Sequence, residues 1–110
     1  MKSEFINFKK NKAKELDDYI LSIWTSFEEF RQDFKNGGYI TLPKELIIPS
    51  TFEEWTDATE GASRTSTPIQ LHREHDTAEA ELCIYDGHNR LKDILANKSI
   101  TKIRCEVRPL

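Results

Sequence analysis

The hydrophobic period of this chain changes at Pro68, and that change limits the folds open to it more than any other feature. Before it, Leu16, Ile20, Ile23, Phe27, Phe30 and Phe34 recur at the 3.6-residue period, with Tyr19 and Trp24 beside them. The spacing predicts an amphipathic helix over residues 15–36, stopped by Gly37-Gly38. Thr25-Ser26 followed by Glu28-Glu29 also fits a cap in mid-course, so one bent helix and two helices both satisfy the pattern. So many aromatics on one stripe point to core packing, with a groove for a partner as the alternative.

After Pro68 the period falls to two. Residues 69–72 and 81–85 read as two strands of a hairpin joined by a polar stretch, Leu91, Ile94 and Leu95 mark a helix that Asn97 can cap, and residues 100–107 alternate Ile103, Cys105 and Val107 on one face. Between the two regimes, Tyr39-Ile-Thr-Leu alternates as a short strand that Pro43 interrupts. Ser50 or Thr51 with Glu53 or Glu54 is a capping box for a short helix over residues 52–60, ending near Gly61. Residues 62–67 form a small polar run that reads as a mobile loop. The expected fold is α+β: one small domain with a helical part over 1–38 and a core over 39–110. A mixed sheet, the N-terminal amphipathic helix and a helix after Asp86-Gly87-His88-Asn89-Arg90 would build it.

Composition excludes several classes. At 110 residues there is room for one domain, and 37% hydrophobic with 10% aromatic residues is too apolar for a disordered chain. No apolar stretch approaches the ~18 residues of a membrane span. The first residues lead into Asn11-Lys-Ala-Lys-Glu rather than an apolar segment, so no secretory signal is expected. Cys83 and Cys105 lie in apparent strands without Cys-x-x-Cys spacing, so both read as buried small hydrophobes and a reducing cytoplasm is the expected setting. Net charge is -3, unevenly spread: residues 1–87 carry 10 Lys/Arg against 17 Asp/Glu, and residues 88–110 carry six against two. The C-terminal end is suited to an anion, but the whole chain lacks the basic footprint of a sequence-specific duplex DNA binder.

Asp86-Gly87-His88-Asn89-Arg90 occupies the junction where a strand ends and a helix begins. Unpaired N–H groups and the positive end of the helix dipole point outward there, Gly87 permits close backbone approach, and Arg90 adds a planar fork for phosphate oxygens. The same residues also suit an ordinary turn and cap. His72, His75, Asp76 and His88 match no metal-ligand spacing, so no metal site is assigned. Glu45, Glu53 and Glu54 approach a predicted helix start, where capping accounts for Glu53.

Thr67-Pro68-Ile69-Gln70-Leu71, then residues 81–91 around Asp-Gly-His-Asn-Arg, then residues 100–107 resemble the core of the ParB/sulfiredoxin-like superfamily. There a Pro-Ile strand, a strand ending in an Asp-Gly-His-His-Arg-like turn, a helix and a final strand follow in this order. The resemblance spans roughly residues 67–107 and implies a nucleotide or other phosphorylated ligand held by Gly87, His88, Asn89 and Arg90. Members include CTP-binding partition proteins, free serine kinases, sulfiredoxin and nucleases. His88 stands where sulfiredoxin has its cysteine, so sulfinic-acid repair is not expected. Asn89 replaces a second histidine and cannot carry a proton near neutral pH. The chain ends soon after Val107, so the DNA-reading domain of partition proteins is not expected. If the site turns ligand over, the implied reaction is phosphoryl transfer or nucleotide hydrolysis, with His88 and Asp86 in catalytic roles and Mg²⁺ accompanying the nucleotide. The alternative is a non-catalytic interaction or inhibitory protein, of phage size, whose acidic N-terminal two-thirds engages a basic protein partner.

Overall fold

The computed structural model describes residues 2–61, 67–73 and 80–110. Among them the helices are α1 (Lys2–Ile23), α2 (Phe27–Asp33), α3 (Phe52–Asp57) and α4 (His88–Ala96), and the strands β1 (Gly38–Pro43), β2 (Gln70–His72), β3 (Cys83–Asp86) and β4 (Lys102–Val107). The architecture is α+β, with one four-stranded sheet ordered β1-β4-β2-β3. β1 runs antiparallel to β4, β4 parallel to β2, and β2 antiparallel to β3, which makes the expected mixed sheet. No helix among the described residues is long and apolar enough to cross a membrane.

The N-terminal helix starts at Lys2, far ahead of the expected residue 15. Its buried row is Lys9, Ala13, Leu16 and Ile20. Lys9 occupies an apolar position because its stem lies against the core while its ammonium donates to the Ser50 carbonyl oxygen. A lysine followed by an alanine leaves no apolar period to read.

The helical stripe is two helices, not one. α1 stops at Ile23, which is 55% exposed although the period placed it on the stripe. Ser26 then caps α2, its hydroxyl accepting the Glu29 N–H at 3.1 Å. Trp24 fills the corner between them, edge-on to Phe30 and Phe34 at centroid distances of 4.8 and 5.8 Å, with its indole N–H donating to Asp33 Oδ2 at 2.6 Å. Phe30 and Phe34 are buried, so the aromatic stripe is core.

Pro43 ends β1 without interrupting it, paired with Lys102; the outer side of this edge strand needs no N–H. α3 ends at Asp57 rather than residue 60, because Ala58 turns extended to bury its methyl. Leu71 lies opposite Ile84 in the β2–β3 hairpin, with an irregularity between Gln70 and Leu71. Residues 74–79 of its connection, including His75 and Asp76, lie outside the described residues, as do residues 62–66 of the polar run.

Leu16 and Ile20 of α1, Phe30 of α2 and Leu91 and Ile94 of α4 form one buried cluster with Ile40, Leu42, Leu71, Ile84, Cys105 and Val107 of the sheet. The helices thus gather on one sheet face. The strand residues between these, Tyr39, Thr41, Lys102, Arg104 and Tyr85, are exposed on the other. Both cysteines are buried and not joined in a disulfide.

Candidate ligand-binding turn at the start of α4

Gly87 is the N-cap of α4, with φ 124° and ψ 24°, a backbone region that side chains disfavour. A Cβ there would lie 3.0 Å from Ile69 Cγ1 and 3.2 Å from Ile69 Cα. The glycine is therefore required by the chain entering β2, apart from any ligand. It also leaves α4 without a side-chain cap. α2 and α3 are capped by Ser26 and Thr51 and carry Glu28-Glu29 and Glu53-Glu54 in their first turns, whereas the first turn of α4 has no acid and holds Arg90. Among the described residues, the positive end of its dipole thus has no capping side chain and no first-turn acid.

His88 does not face outward. It is 8% exposed, and its Nε2 accepts the Ser50 backbone N–H at 3.1 Å, with Ser50 Oγ also at 3.1 Å. That bond puts the ring proton on Nδ1, 4.0 Å from Glu54 Oε2. Burial pushes the imidazole below its ordinary value, with Lys9 adding to the effect and Glu54 and Asp86 opposing it. The ring is thus neutral at pH 7. Lys9, Ser50 and His88 link α1, the segment before α3 and α4 in one hydrogen-bonded line.

Asn89 is exposed but engaged along the surface: its Oδ1 accepts the Thr59 N–H at 2.9 Å, and one helical turn on, Asp93 Oδ1 accepts the Gly61 N–H at 2.7 Å. The two side chains hold residues 59–61 along α4. Arg90 is half-buried on the first turn, and Asp86 is exposed at the end of β3, opposite Gln70. At the far end of α4 the Lys44 ammonium donates to the Asn97 carbonyl at 2.9 Å, answering the negative end of the dipole.

Of the other residues considered, His72 packs edge-on against Tyr85 at 5.2 Å, and among the described residues no group of three His, Cys, Asp or Glu is placed to hold a metal ion. Glu53 pairs with Lys2 at 3.2 Å, and Glu45 borders an apolar cleft of about 150 Å³ with Trp55 and Leu95. Thr51 rather than Ser50 caps α3, its hydroxyl accepting the Glu54 N–H at 3.1 Å. The strongest charge cluster lies elsewhere. Glu81, nearly buried, receives both Arg31 Nε and Nη2, at 2.9 and 2.7 Å, and pairs with Arg73 at 3.3 Å. Burial, then the Glu81 charge, raises the neighbouring Asp17 carboxyl above its ordinary value. This clamp anchors the start of the β3 segment to α2 and reads as structural.

Sequence reasoning did not find Ser50, Lys9 or Thr59 as neighbours of the turn. All three reach it through tertiary contacts, which no local period or motif marks. Compared with protein-family models, curated proteins and solved structures, the chain matches none.

Proposed function

We propose that this protein binds a nucleotide or another phosphorylated small molecule at the start of α4. The phosphate oxygens would meet the N–H groups of residues 87–90 and the Arg90 guanidinium, as the ParB/sulfiredoxin-like resemblance implies. The observation that supports this is the contrast among helix starts: α4 alone of α2, α3 and α4 has neither a side-chain cap nor an acid in its first turn, and it carries an arginine there. Each of these features favours anion recognition.

The geometry favours binding over turnover. His88 is neutral and engaged with Ser50, and Asn89 is engaged with Thr59, so neither supports acid-base work or charge neutralisation. Asp86 is the exposed acid nearest the turn in sequence, and it would have to hold Mg²⁺ for hydrolysis to proceed. Thermal-shift titration with nucleoside triphosphates, with and without Mg²⁺, tests the proposal. A ligand present at a hundred times its Kd should stabilise the fold by about 2.7 kcal/mol. Arg90→Lys should weaken it and Arg90→Ala weaken it further. Equal affinity in all three proteins would refute the site, and no shift with any triphosphate would refute a nucleoside triphosphate as its ligand; phosphate release lost in Arg90→Ala would add catalysis to it.

A further inference from the structure

The face of the sheet turned away from the helices carries a second pattern, none of whose members belongs to the α4 turn. Tyr39 on β1 and Tyr85 on β3 are 48% and 49% exposed. Each lies under an arginine: the Arg104 guanidinium carbon sits 4.1 Å from the Tyr39 ring centroid and that of Arg108 sits 3.9 Å from the Tyr85 centroid. His72 closes on Tyr85 from the edge. We propose that this open face binds single-stranded nucleic acid, with bases stacked on the two arginine–tyrosine pairs and phosphates neutralised by the cations beside them.

Strand order sets the spacing. β1 and β3 are the two edges of the sheet, so three strand intervals of roughly 4.8 Å, about 14 Å in all, separate the tyrosines. That distance suits a short run of splayed bases crossing the strands, the way open four-stranded sheets meet two or three unpaired bases. The stacks are suited to this role because a guanidinium plane laid on a ring is itself a flat platform for a base, and it keeps its donors for phosphate. Between the two stacks Glu106 accepts from Gln70 Nε2 at 2.8 Å and from the Tyr39 hydroxyl at 3.5 Å. This carboxylate is held by neutral donors and offers an acceptor to an exocyclic amine of a base.

The cations of β4 suit this face to a polyanion. Lys102, Arg104 and Arg108 are exposed along β4 and just beyond it, against Glu106 as the acid between them. The chain as a whole is at -3. On this face a polyanion meets a narrow stripe of three cations, too narrow for the footprint of a duplex. A protein partner fits less well. The aliphatic residues of β1, β2 and β4 point to the core, so the face lacks the apolar centre that anchors a stable protein interface.

Fluorescence anisotropy tests the proposal, with fluorescein-labelled oligouridine and oligothymidine of about ten nucleotides and a duplex of the same length, at about 50 mM salt. One or both single strands should bind and the duplex should bind more weakly. Tyr39→Ala and Tyr85→Ala should each weaken binding at least about fivefold, the low end for one stacked base, while Tyr39→Phe and Tyr85→Phe keep the ring and bind like wild type. Arg104→Ala and Arg108→Ala should each lower the salt slope by about one. Melting temperatures equal to wild type confirm that the alanine variants are folded. The proposal fails if neither single strand binds, if the duplex binds as well as the single strands, if folded alanine variants bind unchanged, or if the phenylalanine variants lose as much as the alanine ones.

Discussion

Gly87→Ala is the sharpest single test of how the turn is built. The new methyl meets two separate costs. Holding an L-residue at φ 124° costs about 1–3 kcal/mol. The Cβ also arrives 3.0 Å from Cγ1 and 3.2 Å from Cα of Ile69, whose side chain is wholly buried and whose backbone cannot yield. Overpacking of this kind adds about 1–3 kcal/mol. With partial relaxation shared between them, a net loss of about 3 kcal/mol is expected, and at about 4 °C per kcal/mol for a domain of this size the melting temperature should fall by about 12 °C. Urea unfolding followed by circular dichroism should show a lower midpoint with an unchanged slope. A second arm separates the causes. Ile69→Ala relieves the crowding against Cγ1 but leaves both the dihedral strain and the close approach to the residue 69 backbone, so a double-mutant cycle should return a favourable coupling of about 1 kcal/mol. A Gly87→Ala protein melting within about 3 °C of wild type would refute the account. The same result bears on the ligand: because packing alone demands this glycine, only Arg90 substitutions interrogate phosphate binding cleanly.

Thr51→Ala should cost about 1 kcal/mol in urea unfolding through loss of the α3 cap, whereas Ser50→Ala, which keeps the N–H donated to His88, should cost less. His88 makes stability depend on pH in a defined direction: its folded value lies below the unfolded one near 6.5, so its contribution is complete above that value and is lost as pH falls through the depressed folded value. His88→Gln should flatten that acid limb of the melting-temperature profile, and an unchanged limb would show that His88 does not set it. Burial pushes the Cys105 thiol up to about 12, and Cys83 is buried as well, so neither should react with a thiol reagent at neutral pH except through unfolding. Labelling that is fast in native buffer and unaffected by urea would contradict this.

Where local pattern and tertiary demand coincide, the fold was legible in the sequence. Phe30 and Phe34 are apolar, helically spaced and buried; Cys105 and Val107 alternate and face the core; Asp86-Gly87 ends a strand and opens a helix. The start of α1 was not legible, since Lys9 sits in its buried row only because the Ser50 carbonyl is there to receive the ammonium. Nor was the choice between Ser50 and Thr51: two adjacent hydroxyls carry the same capping chemistry, and His88, far along the chain, takes one of them. The central pairing of the sheet was equally hidden. β2 is three residues long and lies parallel to β4 through only Gln70 and Leu71, a register that no periodicity announces.

The candidate turn divides along the same line. Its residues were found by their order, but what each side chain does depends on partners outside the motif. His88 is spent on Ser50, Asn89 on Thr59, and the missing Cβ of Gly87 on Ile69. These contacts fix the segment before α3, the segment after it and the entry to β2 against a single helix start. A phosphate held as proposed would meet the backbone N–H groups of residues 87–90 and one guanidinium. Such a site selects for charge and shape. Base identity would have to be read by residues beyond the motif, and the segments at hand for it are those that His88 and Asn89 contact. Loosening either contact, without touching Arg90, should therefore relax ligand selectivity before it abolishes binding.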